Sequence, residues 1–249
     1  MKKEIRTADT RKGIVQVTTV DERWYCQPVE NPTTKLPEYK FVPSVTWIAE
    51  SYPKGVGFYK WLADKGWDEA EALKVAAGDK GSKVHYAITQ LLKAKSVRMD
   101  DKFSNPDTGK DEELTLEEYE CILSFADWYN EVKPEIINNE FVVWNNDVGY
   151  AGTVDIICKI GEDTFIIDLK TSQNIYPSHE IQLSAYKHAS GINAKLAVLQ
   201  LGYWRNKKKF KFTEVEDQFP LFLAAKQIWQ KEHGGEKPKQ KDYPVEIKI

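Results

Sequence analysis

The chain has 249 residues, 41% of them hydrophobic and 29% charged, which is enough to bury one sizeable core and points to a single elaborated α/β domain. Its formal net charge of −3 is unlike that of a protein that binds phosphate through a general excess of Lys and Arg, so any such contact must come from a local cluster. With no apolar run of about 18 residues, no signal or transit pattern at the start and only three scattered cysteines, the residues argue against a membrane span, a secreted disulfide framework and a structural zinc site.

From the N-terminus, "GIVQVTTV" and "WYCQPV" flank "DER" and read as a hairpin, with "YKFVPSVT" returning as a third short strand. A helix is expected over 44–50, followed by helices over about 56–65 and 67–78. Together they form a wall on which Trp47, Tyr52, Phe58, Tyr59 and Trp61 either pack into the core, as helical spacing favours, or stack on unpaired bases. From residue 79, "DKGSKVHYAITQLLKAK" places Val84, Ala87, Ile88, Leu91 and Leu92 on one helical stripe, with His85 beside it. The segment from Met99 to Glu113 is rich in Asp, Lys, Asn and Gly and reads as a mobile loop. Thr115 and Glu118 form a capping box for a long helix whose buried face is Leu116, Tyr119, Ile122, Phe125, Ala126 and Tyr129, ending before Pro134.

Next comes the strand "EFVVW", opened by Glu140, and then "GYAGTVDIICKIGEDTFIIDLKTS" over 149–172, two apolar strands with a turn near Gly161 and Glu162. "YPSHEIQLSAYKHASG" is a helix with Ser178 as N-cap and Gly191 as C-cap. "KLAVLQLGYW" is a buried strand, and the strand, helix, strand order implies a crossover with at least one parallel pairing. The basic cluster "RNKKKFKF" at 205–212 reads as a solvated hairpin tip or a phosphate contact. A last helix follows, with Pro220 tolerable only in its first turn. The expected organisation is a hairpin and helical wall over 1–78, a core over 79–205, and a C-terminal strand and helix over 206–249.

The chemistry concentrates in the second hairpin. Strand side chains alternate, so Asp168 and Lys170 emerge on one face, and hairpin pairing brings Asp155 almost opposite Asp168. Two acids and a lysine on strands can be an ordinary ion-pair cluster, but the β-branched residues around them indicate a buried strand pair in which unpaired carboxylates are costly. A hard divalent ion, Mg²⁺ or Mn²⁺, removes that cost, and the lysine can then hold or deprotonate an attacking water. His85 reads as a core histidine or as a further ligand for such an ion. Gln182 and Tyr186, at i and i+4, face either the same patch or the core.

The order "GSKVH", "GTVD", "DLKTS", "QLSAY" resembles the RecB-like exonuclease branch of the PD-(D/E)XK nuclease superfamily, with its phage-encoded members and CRISPR adaptation nucleases. Upstream, "FVPSVTWIAES" and "FYKWLADKG" are similar to the mitochondrial genome maintenance exonuclease, so the resemblance covers roughly 41–205. It implies a restriction-endonuclease-like core, a mixed central β-sheet flanked by helices with the N-terminal β-hairpin and helical wall. It also implies a metal-dependent DNA exonuclease acting on single strands or duplex ends. His85, Asp155, Asp168 and the Leu169 carbonyl match the metal ligands, and Lys170 matches the catalytic lysine. Gln182, Tyr186 and Thr171 match positions that face DNA or position the lysine, and Glu140 stands where relatives often carry an acid. Relatives with an iron–sulfur cluster use four cysteines; Cys26, Cys121 and Cys158 do not supply them, so no cluster is expected. The partners implied are DNA and a recombination or repair protein, in the cytoplasm of a bacterium or a phage-infected cell. A structure-selective endonuclease and a catalytically lapsed DNA-binding subunit are the competing readings.

Overall fold

The computed structural model describes residues 4–9, 13–18, 22–30, 33, 35, 37–94, 96–104 and 111–239. Four antiparallel strands open the chain in the order β1 (Glu4–Asp9), β2 (Ile14–Thr18), β3 (Arg23–Glu30) and β4 (Pro37–Pro43). The expected hairpin and third strand are therefore β2, β3 and β4, and β1 adds a strand that the charged "EIRTAD" does not announce. The hairpin's connection at 19–21 lies outside the described residues.

Helix α1 (Val45–Glu50) starts at Ser44, whose hydroxyl accepts the N–H of Trp47, and is followed by α2 (Val56–Lys65) and α3 (Trp67–Ala94). The two helices expected on either side of residue 78 are one: α3 runs 28 residues through Gly78 and Gly81, and the packing of its second half carries it across both. Helix α2 buries no residue, so Phe58, Tyr59 and Trp61 are exposed, against the helical-spacing reading, while Trp47 and Tyr52 pack on the core as it predicts. The expected mobile loop contains a small antiparallel pair, β5 (Lys102–Ser104) and β6 (Asp111–Glu113); residues 105–110 lie outside the description.

Helix α4 (Leu116–Val132) has the expected capping box, but its buried face is turned: Leu116 is exposed, and Cys121 and Trp128 are buried with Ile122 and Phe125. The central sheet has the order β11-β10-β9-β8-β7, built from β7 (Glu135–Asn145), β8 (Tyr150–Ile160), β9 (Asp163–Lys170), β10 (Lys195–Leu201) and β11 (Phe210–Val215). Only β9 and β10 run parallel, joined by the crossover helix α5 (Pro177–Ser190), so the sheet is mixed as expected. Pro177 fills the first turn of α5 and Tyr176, not Ser178, is its N-cap; Gly191 ends it at φ +68° as foreseen. Helix α6 (Phe219–His233) carries Pro220 in its first turn.

Helices α1, α5 and α6 cover one face of the sheet around Val154, Ile166 and Val198, and α3 and α4 cover the other around Ile156, Ile167 and Leu199. Ile14, Tyr25 and Val42 of the N-terminal sheet pack on Val142 and Ala151 of β7 and β8. The class is α/β, with helices on both faces of a mixed sheet. Among the described residues no helix is long and apolar enough to cross a membrane.

Candidate functional site

The β8–β9 hairpin turns at Gly161, φ +62°, and pairs from Ile160↔Asp163 to Ile156↔Ile167. Pairing stops there, one step short of Asp155 and Asp168. The Leu169 N–H, which a continuing ladder would bond to backbone, instead donates to Asp155 Oδ2 at 2.7 Å. On the other side of β8 the ladder with β7 skips the same level: Asn139 pairs Ile156, Phe141 pairs Val154, and Glu140 between them has φ +51°. Glu140, Asp155 and Asp168 thus form a row of three acids across three adjacent strands. Glu140 does not open its strand, as the sequence suggests, but sits in mid-strand in the left-handed region, a conformation an L residue keeps only where its surroundings impose it.

Helix α3 approaches this level with a stripe at four-residue spacing. A Cβ on Gly81 would lie 3.9 Å from Thr171 Oγ1, placing Thr171 beside the helix. His85 Nε2 is 2.9 Å from the Leu169 carbonyl and its Nδ1 is 3.3 Å from Asp155 Oδ1. One helical turn on, the Thr89 hydroxyl reaches Glu140 at 3.4 Å. Both nitrogens of His85 face oxygen acceptors, which favours the doubly protonated ring. Burial works against that charge, but Asp155 overrides it and pushes the imidazole up to about 9. Burial likewise pushes Asp155 upward, and His85, Lys170 and the Leu169 N–H outweigh it, leaving the carboxyl lowered.

Helix α5 supplies the opposite wall. Gln182 Nε2 donates to Asp168 Oδ1 at 3.0 Å and lies 2.9 Å from the Tyr186 hydroxyl, joining the two helix residues to the acid in one buried chain. Lys170 Nζ is 2.8 Å from Asp168 Oδ2 but off the direction of a hydrogen bond, so that buried oxygen has no aligned donor. Asp168 is 1% exposed, and burial pushes its carboxyl up to about 6 against the pull of Lys170. Glu140 is solvent-accessible although protein surrounds most of it; that crowding first, and then Asp155, push its carboxyl upward. Tyr186 lies close over Gly152, where a Cβ would stand 2.6 Å from the tyrosine ring and 3.1 Å from Val45.

The structure therefore brings together His85, Asp155, Leu169, Asp168, Lys170, Gln182 and Tyr186, with Glu140 and Thr171 at the margins. Sequence reasoning missed three neighbours. Thr89 shares the α3 stripe with His85, a spacing that was legible. Tyr25 of the N-terminal sheet bonds Thr153, two residues before Asp155, at 2.8 Å, a pairing with no local signal. His179 sits half-buried on α5, where burial and the charges of Lys170 and Lys54 push it down to about 3.

No family model matches the chain, and no curated protein matches it. A solved structure described as "Crystal structure of SSO0001" aligns over 66% of this chain and 77% of that one, at 12% identity and a TM-score of 0.33, too low a likeness to carry an argument.

Among the described residues, no three His, Cys, Asp or Glu side chains stand ready as a metal cage. The donor set nonetheless fits a hard cation. It offers carboxylates, a backbone carbonyl and an imidazole in one place, burial raises Asp168, and one oxygen of Asp168 lacks an aligned donor. Where no cation sits in the row, His85 and Lys170 answer the charge of the acids; a cation taken there would displace the proton from the His85 nitrogen that meets it.

Proposed function

We propose that the chain is a divalent-metal-dependent DNA exonuclease of the PD-(D/E)XK type, acting on single strands or duplex ends in recombination, repair or phage DNA metabolism. The observation that carries this reading is the meeting of His85, Asp155, the Leu169 carbonyl and the Asp168–Lys170 pair at the level where strands β8 and β9 part. Opening the ladder there presents backbone and carboxylate oxygens at one point, which an ordinary surface ion-pair cluster does not need.

Asp155, Asp168, His85 and the Leu169 carbonyl would hold Mg²⁺ or Mn²⁺, which supplies Lewis-acid polarisation of the scissile phosphate and a more acidic bound water. Lys170, paired with Asp168, carries a positive charge beside the place where the phosphorane would gather negative charge, and its ammonium can orient the attacking water. Gln182 fixes the rotamer of Asp168, and Tyr186 fixes Gln182, so helix α5 holds the acid in a single orientation. Glu140, whose carboxyl is raised toward neutrality, can accept a proton at this edge.

The test is cleavage of end-labelled linear single-stranded, duplex and circular single-stranded DNA, with Mg²⁺, Mn²⁺ or EDTA. Linear strands should be degraded with metal and circles spared, and Lys170→Ala should slow cleavage by about 10²–10³-fold. Retained cleavage in Lys170→Ala and Asp168→Ala sinks the assignment. Cleavage of circles moves it to an endonuclease, and DNA binding without cleavage under any metal moves it to a binding subunit.

A further inference from the structure

The turn between β10 and β11 combines features that no core requirement explains. Trp204 is 65% exposed, at a tip where it packs into none of the hydrophobic clusters. Basic residues surround it, but they are not equivalent. Lys208 pairs with Glu131 at 2.5 Å and Lys209 with Glu120 at 3.6 Å, so both are spent fastening the tip to α4. Arg205, Lys207 and Lys211 have no carboxylate partner among the described residues. The Arg205 guanidinium lies 5.3 Å from the Trp204 ring centre and 5.9 Å from that of Tyr203, and Lys211 Nζ lies 5.7 Å from the Tyr203 centre. Two cations without a carboxylate partner, Arg205 and Lys211, thus lie over two aromatic faces, with Lys207 in the same turn.

The tip is also tied to the segment that leaves the Asp168–Lys170 strand. Gln173 Nε2 donates to the Gly202 carbonyl at 2.9 Å, and its Oε1 accepts the Trp204 N–H at 3.2 Å. Arg205 Nη2 donates to Asn174 Oδ1 at 3.2 Å, and Gln200 Nε2 donates to the Ser172 carbonyl at 2.9 Å. The backbone of the tip is closed on itself by Tyr203 N–H to the Lys209 carbonyl at 2.6 Å and by Asn206 Nδ2 to the Phe210 carbonyl at 2.8 Å. The aromatic and basic groups are therefore held in a pinned turn, a few residues of chain from Lys170.

We infer that this tip is a single-strand clamp: the Trp204 indole stacks on an unpaired base while Arg205, Lys207 and Lys211 neutralise the neighbouring phosphates. An exposed indole offers every base a flat apolar partner without reading its sequence, and spaced cations follow a flexible phosphate backbone. A duplex end keeps its bases stacked inside the helix, so the same surface gives a duplex only its cations. On a chain of net charge −3, three unpaired cations in one place supply the local attraction that the whole molecule lacks. The inference rests on the nuclease reading for its substrate, and it assigns the side of the site along which that substrate runs.

Binding is measured by fluorescence anisotropy of a labelled oligo-dT and of a blunt hairpin duplex, in EDTA so that no strand is cut. Trp204→Ala should weaken single-strand binding roughly 5- to 150-fold, the range of one lost base stack, and weaken duplex binding much less. Trp204→Phe, which keeps a flat ring, should restore most of the difference. The triple replacement of Arg205, Lys207 and Lys211 by Ala should lower the log–log salt slope for the single strand by about 2. Equal losses on both forms in Trp204→Ala, or parent-like affinity and slope in all variants, would overturn the clamp while leaving the nuclease reading intact. A parent chain that binds neither form would overturn the nucleic-acid reading and the clamp with it.

Discussion

A carboxylate with 1% exposure survives only if something answers its charge, and Asp168 has Lys170 on one oxygen and Gln182 on the other. Beside it, His179 shows the opposite solution, staying neutral. Its Nδ1 faces the Tyr176 N–H at 3.4 Å, and burial lowers its proton affinity from 6.5 to about 3. A group lowered in the folded state contributes stability that is whole above its unfolded value and is lost as pH falls toward its folded one. Thermal melts should therefore show a loss beginning below pH 6.5 and growing toward pH 3, and His179→Asn should flatten that part of the profile. An unchanged profile would show that His179 does not govern it.

At this scale the acids and the lysine were legible because strand period and helix period each place residues on one face: Asp168 with Lys170, Gln182 with Tyr186. Glu140 was legible as an acid but not in its conformation, because a left-handed residue in mid-strand depends on how two ladders meet. Tyr25 was not legible at all, since its partner Thr153 lies 128 residues away.

Among the elements, α3 and α4 show how one residue can serve two structures. Glu118 closes the N-cap of α4 on the Thr115 N–H at 2.7 Å and also meets Lys83 of α3 at 3.1 Å, where Lys83 is 4% exposed. Thr115→Ala removes one cap bond and should cost about 1 kcal/mol in urea unfolding. Glu118→Ala removes the reciprocal bond and leaves Lys83 with Glu112 and the Glu113 carbonyl, so it should cost more than Thr115→Ala. The reverse order would show that the cap outweighs the buried pair. The capping box was plain in the sequence, whereas the facing of α4 was not, because Trp128 and Cys121 compete with Leu116 and Tyr129 for the buried stripe. The continuity of α3 was hidden by Gly78 and Gly81, residues that break a helix in isolation but not one whose second half is packed between a sheet and α4.

Across the whole molecule, the N-terminal sheet is joined to the central one rather than appended to it. Trp24 of β3 stands edge-on to Trp47 of α1 at 5.3 Å and to Trp229 of α6 at 5.7 Å, and Trp47 meets Trp229 at 4.9 Å. One aromatic cluster thus joins β3, α1 and α6. Trp24→Ala should cost about 3–5 kcal/mol and should do so within a single unfolding transition. Two separated transitions, with only the first shifted, would show that the N-terminal sheet unfolds by itself. The mixed sheet, its parallel crossover and the layers of helices were legible from hydrophobic pattern and punctuation. The joining of the two sheets was not, because tryptophans so far apart in the chain carry no local sign of their meeting.

The closeness of Tyr186 to Gly152 reaches beyond packing. The tyrosine can hold Gln182, and through it Asp168, only because the strand beneath it has no side chain at that point. A homologue carrying every acid and the lysine, but a branched residue at that glycine, would have to lift its helix away and release the acid from its orientation. Recognising working members of such a lineage therefore calls for attention to a position that contributes no functional group: the missing methyl at 152 is as much a part of the signature as the charges it allows to meet.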